Sequence, residues 1–169
     1  MEKITYTLES FKNIQDLIKF ADQKAGAILI IVGLIFNSIV KCFENQTIAI
    51  DNLSCLSFAT FIFGLISIVI LFIILYFTIF EILRPRFATN YESDSCSTFY
   101  FEHIAVNTEK LKEKYSDIKE DDMLKDILDQ KIEIAKILTK KNKNLKKSFS
   151  WLFVLVVTSI IFILLSNLL

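Results

Sequence analysis

Three stretches of this chain contain no Asp, Glu, Lys or Arg, and they constrain its fold more than any other feature. They run over residues 25–40, 52–80 and 148–169, so they are 16, 29 and 22 residues long. A helix rises about 1.5 Å per residue and the hydrocarbon core of a bilayer is about 30 Å thick, so about 20 apolar residues cross it. The first stretch is slightly short, but the stems of Lys24 and Lys41 extend it because their ammonium groups can reach the headgroups.

The apolar stretches predict transmembrane helices rather than buried helices of a soluble core. Residues 54–80 and 151–165 are apolar on every side and leave no polar face for water. The whole chain is 53% hydrophobic, with three Gly and one Pro, a composition that excludes a disordered tail and a collagen-like repeat. The predicted spans are residues 25–43, 54–83 and 148–169, with a short outer loop over 44–53.

The charges of the loops predict how the chain is oriented in the membrane. Residues 41–53 contain one lysine, whereas residues 84–147 contain 14 Lys and Arg residues, five of them within 140–147. Residues 1–24 hold four basic and four acidic residues and no apolar core of a signal peptide. Because loops rich in Lys and Arg stay in the cytoplasm, we expect the N-terminus and residues 84–147 inside and the C-terminus outside.

Helical periodicity is present before the first span, within the segment after the second span and before the last span. Apolar residues recur at threes and fours before the first span, which predicts a helix that starts near Thr7 and runs into the membrane. Pro85 ends the second span. A polar loop over 88–97 precedes a shorter helix from Thr98 to about Ser116, and Asp121 or Asp122 caps a long helix that continues into the last span.

These elements predict an all-α membrane protein. Three transmembrane helices are joined to a cytoplasmic helical bundle, which is formed by the N-terminal helix of residues 1–24 and by the middle helix and the long helix of residues 84–147. The long helix is continuous with the last span. Because such a small bundle has a thin core, we expect neighbouring copies to complete it in a homo-oligomer.

The chain offers no constellation that catalysis requires. His103 is the single histidine, and neither a second histidine nor clustered cysteines accompany it, so we expect no metal site. Glycine-rich phosphate loops, GxSxG and HExxH are absent from the sequence, and we expect no enzyme. The 19 basic and 19 acidic residues cancel, so the net charge indicates no particular partner. We expect no nucleic-acid partner.

Charged residues meet at the cytoplasmic edge of the predicted membrane. They are Asp22 and Lys24 before the first span, Arg84 and Arg86 after the second, and the lysines of residues 143–147 before the third. Interfacial anchoring and topology explain them without any ligand. A ring of cations at one level is, alternatively, a site for an anion such as a phosphate.

Three consecutive aromatic residues follow the second span. Phe99, Tyr100 and Phe101 point about 100° apart on a helix, so they do not all face one core. The spare ring can stack on a nucleotide base, meet another copy of the chain or contact lipid.

Several short motifs, in order along nearly the whole chain, resemble one family. The segment Ala21-Asp22-Gln23-Lys24-Ala25 resembles the A-D-x-K-A signature of the transmembrane effectors of Pycsar anti-phage systems. The short outer turn is similar as well. Further similar segments are Leu83-Arg84-Pro85, Phe99-Tyr100-Phe101-Glu102-His103-Ile104-Ala105, and the pattern from Leu128 and Gln130-Lys131 through Ile137 and Lys140 into the last span.

The resemblance implies a membrane-bound effector of abortive infection. In that family a partner cyclase answers phage by making cyclic CMP or cyclic UMP, and the effector senses the nucleotide and impairs the bacterial inner membrane. The activating ligand would then be cCMP or cUMP, with no other cofactor. We expect Asp22 and Lys24 to act as motif residues, Arg84 and Arg86 to hold the phosphate, and Tyr100 or Phe101 to stack on the base. A holin-like or channel-forming protein gated by another signal and a non-killing membrane scaffold remain alternatives.

Overall fold

The computed structural model describes residues 2–44, 54–84, 109, 112, 116 and 118–169. Helix α1 covers Glu2–Glu44 and helix α2 covers Cys55–Tyr76. A π-helical segment, Phe77–Leu83, continues α2, and helix α3 covers Glu120–Ser166. All three helices are long and apolar enough to cross a membrane, and the described residues include no strand.

The ends of the helices follow from local chemistry. Ser54 caps α2, because its hydroxyl accepts a hydrogen bond from the backbone N–H of Ser57 at 3.2 Å. At the other end, Arg84 leaves the helical region with φ −56° and ψ 129°, the extended conformation that a following proline imposes. Helix α3 begins with three carboxylates, Glu120, Asp121 and Asp122, which complement the positive end of the helix dipole.

The chain divides into two compact units. Met1–Phe20 and Pro85–Lys140 form the first, which we call the polar unit. Ala21–Arg84 and Lys141–Leu169 form the second, the apolar unit. Helices α1 and α3 contribute residues to both units.

The core of the apolar unit is a seam of buried residues from all three helices. On α1 they are spaced by threes and fours, the spacing of left-handed helix packing. Small residues, Ala21 and Ala25, start the seam on α1, and larger aliphatic residues follow. Its buried members are Ala21, Ala25, Ile28, Val32, Ile70, Leu71, Ile74, Ile82, Leu145, Leu152 and Leu155.

Contacts at the two ends of the apolar unit set the register of its helices. Lys141 of α3 binds Asp22 of α1, and the rings of Phe162 and Phe43 pack at 4.9 Å between centroids. In both pairs the α3 residue follows its α1 partner by the same number of residues, so α1 and α3 run parallel. On each helix the two contacts are 21 residues apart, which corresponds to about 30 Å of helix, the thickness of the hydrocarbon core.

The predicted fold class is confirmed: the described residues form helices alone, three of which can span a membrane, and the last of these is continuous with the long charged helix. Helix α1 begins at Glu2 rather than near Thr7, and α3 begins at Glu120, so Asp121 and Asp122 lie in its first turn instead of capping it. The predicted outer loop, the loop over 88–97 and most of the middle helix lie outside the described residues.

Candidate functional site

A polar cluster lies at the end of the apolar unit where Asp22 and Lys141 meet. The Lys141 Nζ atom donates a hydrogen bond to the Asp22 Oδ1 atom at 2.5 Å. The lysine side chain is 7% exposed and the aspartate side chain 38% exposed. The ammonium group is therefore nearly withdrawn from water, while the carboxylate is still in contact with water.

Helix α2 joins this cluster through its π-helical segment. The Asn144 Nδ2 atom donates a hydrogen bond to the Glu81 Oε2 atom at 3.1 Å. Next to it, the Lys147 Nζ atom lies 5.5 Å from the centre of the Phe77 ring, within the range of a cation–π interaction. We define the polar cluster as Asp22, Glu81, Asn144 and Lys141, which together tie all three helices at one level.

The spacing along α3 selects which of its many basic residues enters the cluster. Lys141, Asn144, Leu145 and Ser148 are buried at steps of three and four, whereas the neighbouring lysines of residues 143–147 are exposed. On α1, Ala21 and Ala25 flank Asp22 and are 2% and 0% exposed. With only a methyl group at each of these positions, α3 can approach closely enough for the ion pair to form.

Three of the predicted nucleotide-contacting residues lie in the described part of the chain. Asp22 is in the polar cluster, and both Lys24 and Arg84 are exposed. Arg86, Tyr100 and Phe101 lie outside the described residues. The sequence places Asp22 and the lysines of 143–147 at one level without assigning a partner, and in the structure Asp22 pairs with Lys141.

Glu81, Asn144 and Lys141 were not predicted as site residues. The sequence does contain a signal for Glu81 and Asn144: both are polar residues beside apolar spans, and polar groups at such positions need partners. The phase of the α3 seam supplies the second part of that signal. Extended back from Leu152 through Ser148 and Leu145, it reaches Lys141.

An aromatic layer closes the other end of the apolar unit. The rings of Phe43 and Phe162 pack against each other over Gly64. A Cβ atom added to Gly64 would lie 2.5 Å from the Phe43 Cζ atom and 2.9 Å from the Phe162 Cε2 atom. A larger residue here would force the Phe43 or Phe162 ring to move, so Gly64 permits the close approach of three helices. We call Phe43, Gly64 and Phe162 the aromatic layer.

The polar unit contains a cavity of about 400 Å³ beside the first turns of α1 and α3. Three carboxylates, those of Glu2, Glu120 and Asp121, line it together with the Lys3 ammonium group. The excess of negative charge makes it unsuitable for an anionic ligand.

Comparison with known proteins relates this arrangement to one family. The Pycsar effector protein domain matches residues 6–167, which include the polar cluster and the aromatic layer. The chain belongs to the Pycsar effector family. This Pycsar effector is therefore an effector of anti-phage defence and, with three helices able to span a bilayer, a membrane protein.

A curated relative agrees with this assignment. The chain is 35% identical over 81 residues to the Pycsar effector protein TpPycTM of Treponema porcinum, a match that covers 48% of this chain and 70% of the relative. No solved structure matches the chain. The resemblance that the motifs indicated is thus confirmed, and the polar cluster supplies a packing role for the Ala-Asp-x-Lys-Ala segment of this Pycsar effector.

Proposed function

We propose that this protein is activated by a cyclic pyrimidine mononucleotide, cCMP or cUMP, made by a partner cyclase, and that it then impairs the bacterial inner membrane to cause abortive infection. The observation that carries the proposal is the family match over residues 6–167. A cyclic mononucleotide is a monoanion with one aromatic base, so its receptor needs cations and an aromatic surface. The charged end of the apolar unit offers cations on two of its helices.

Two residues of the proposed nucleotide site, Lys24 and Arg84, belong to the apolar unit. Lys24 and Arg84 are exposed cations, and we assign Arg84 and Arg86 to the phosphate, with Tyr100 or Phe101 stacking on the base. Asp22 contributes indirectly, because its carboxylate neutralises Lys141. A nucleotide phosphate that arrives at this level competes with Asp22 for the Lys141 ammonium group. Ligand binding is thereby coupled to the contact between α1 and α3.

The proposed orientation places the polar cluster on the cytoplasmic side. The excess of Lys and Arg in residues 84–147 over the outer loop favours that orientation. A nucleotide made in the cytoplasm would then reach the cluster without crossing the bilayer.

We further propose that the active state is a homo-oligomer. Many large apolar side chains of the apolar unit face outward, and they can contact either lipid or another copy of the chain. A nucleotide that binds an assembled or open state more tightly than the resting state shifts the population toward that state.

The test is binding and leakage with the full chain. Purified protein in detergent is titrated with cUMP and cCMP by calorimetry, and the same protein in liposomes is assayed for dye release. Arg84→Ala should weaken binding roughly tenfold or more, as expected when a charge-assisted hydrogen bond to phosphate is removed. Lys41→Ala is the matched control, because Lys41 is an exposed cation near the opposite end of the apolar unit.

Each failure points to a different alternative. No binding of either nucleotide by the wild-type chain would overturn the ligand assignment. Dye release that needs no nucleotide would indicate a holin-like or channel-forming protein gated by another signal. Intact membrane potential after overexpression together with the nucleotide would indicate a non-killing scaffold.

A further inference from the structure

Three hydroxyl groups are buried in the apolar unit without a hydrogen-bond partner among the described residues. They belong to Thr78, Ser148 and Ser159, whose exposed fractions are 0%, 0% and 4%. Serine and threonine in an apolar helix ordinarily bond to the carbonyl four residues earlier. The buried hydroxyls of Thr60 and Ser67 do so, at 2.8 Å and 2.9 Å. The three unpartnered groups depart from that pattern and call for another explanation.

These hydroxyls occupy two levels along one seam. Helices α2 and α3 are antiparallel, because Glu81 pairs with Asn144 at one end and Gly64 meets Phe162 at the other. Thr78 and Ser148 each lie one turn from the first of these contacts, so they share a level. By the same count, Ser159 lies three residues before Phe162 and Ser67 three residues after Gly64, which puts these serines at a second level.

Aliphatic residues separate the two hydroxyl levels. The buried side chains between them are Ile70, Leu71, Ile74, Leu152 and Leu155, which we call the aliphatic layer. Beyond the second level lies the aromatic layer. The seam therefore alternates polar and apolar levels between the polar cluster and the far end of the unit, and apolar constrictions of this kind stop conduction by excluding water.

The outward faces of the apolar unit differ from the seam. Phe58, Phe72 and Phe153 are at least 60% exposed and suit contact with lipid chains. The hydroxyl of Ser38, which is exposed, bonds to the Leu34 carbonyl at 3.1 Å, so it needs no water in a lipid environment. Unpartnered hydroxyls thus occur on the buried seam and not at this outward position.

We propose that the seam between α2 and α3 is the route by which water and small solutes cross the membrane in the activated protein. The inference rests on the proposed membrane activity and names its path. When α2 and α3 separate, water replaces the aliphatic contacts and supplies the hydrogen bonds that Thr78, Ser148 and Ser159 lack in the packed state. The hydroxyls then form the polar lining, and wetting of the aliphatic layer opens the route.

Cysteine accessibility tests this route. In a chain whose Cys42, Cys55 and Cys96 are replaced by serine, Ser148→Cys and Ser159→Cys introduce thiols with little change of volume. The proteins are reconstituted into dye-loaded liposomes and treated with a charged, membrane-impermeant methanethiosulfonate before and after addition of cUMP or cCMP. Because an open state populated at about 10% or less limits the reaction in the resting protein, labelling of both thiols should become at least roughly tenfold faster upon activation. Labelling should also lower the rate of dye release.

Ser38→Cys is the matched control, since it replaces a serine at the outward position on α1. Its labelling should stay slow and its modification should leave dye release unchanged. Release that proceeds while both seam thiols stay unreactive would overturn the route and leave the membrane activity standing. If the wild-type protein binds nucleotide but releases no dye, the proposed membrane activity is wrong and the route is wrong with it.

A second variant checks the same point without chemical labelling. Replacing Ser148 and Ser159 together by alanine removes two of the three unpartnered hydroxyls and keeps the packing. The variant should still bind nucleotide, while dye release falls roughly tenfold or more because fewer open molecules are wetted. Unchanged release would contradict the route.

Discussion

Replacement of Asp22 by alanine is the sharpest test of the polar cluster, because it leaves Lys141 in place without its partner. The Lys141 side chain is 7% exposed, so its ammonium group would be nearly desolvated and unpaired. Removing one member of a buried ion pair costs about 3–5 kcal/mol. Since Asp22 is 38% exposed and water enters at its side, we expect the lower end, about 3 kcal/mol of unfolding free energy.

Replacing Lys141 instead of Asp22 should lower the unfolding free energy much less. Lys141→Met keeps the apolar stem and removes the charge, while Asp22 stays in contact with water. The expected loss is about 1 kcal/mol, the upper end for a pair open to solvent. In the double variant neither charge is left alone, so we expect a loss of about 1.5 kcal/mol and a coupling free energy of about 2.5 kcal/mol.

The assay is unfolding in mixed micelles of dodecyl maltoside with increasing SDS, followed by far-ultraviolet circular dichroism. Asp16→Ala is the control on the same helix, because Asp16 pairs with Lys19 at 3.1 Å but both side chains are at least 70% exposed. It should change the unfolding free energy by less than about 0.5 kcal/mol. Equal losses for Asp22→Ala and Asp16→Ala, or additive losses in the double variant, would refute the unequal burial on which the prediction depends.

Three further variants test other contacts in the same unfolding assay. Gly64→Val should cost about 1–3 kcal/mol, since its Cβ atom falls 2.5 Å from the Phe43 ring, and Phe43→Ala in the same chain should restore part of the loss. Asn144→Leu removes the hydrogen bond to the π-helical segment and should cost about 1–2 kcal/mol, whereas the exposed Asn142→Leu should be nearly neutral. Ser148→Ala should stabilise the protein by up to about 1 kcal/mol, because it removes a buried hydroxyl with no partner among the described residues. A loss of more than about 0.5 kcal/mol of unfolding free energy would contradict that assignment.

The long helices are predictable from sequence because two simple properties define them. Uninterrupted periodicity and the absence of charge predict that α1 and α3 continue into their spans, and Pro85 predicts the end of the second span at Arg84. Their first residues are less predictable. A carboxylate favours a helix start equally well as the cap and within the first turn, so Glu120, Asp121 and Asp122 do not identify the first residue by themselves.

The polar cluster was only partly predictable, because counting charges treats all the lysines before the last span alike. Burial distinguishes these lysines, and it depends on which face of α3 is turned toward the neighbouring helices. The π-helical segment, Phe77–Leu83, was not predicted at all. One extra residue per turn changes the direction of the side chains that follow, and no local residue preference signals it as glycine or proline would signal a turn.

The Ala-Asp-x-Lys-Ala segment combines two requirements in five residues. The two alanines, at positions 21 and 25, are buried in the seam, and larger side chains there would hold α3 away from α1. Asp22 lies between them at the edge of the seam, where the Lys141 ammonium group reaches it. Lys24 lies on the exposed face of the same turn. A segment of this kind packs two helices and presents a charge from the same turn, which couples the exposed surface to the helix contact beneath it.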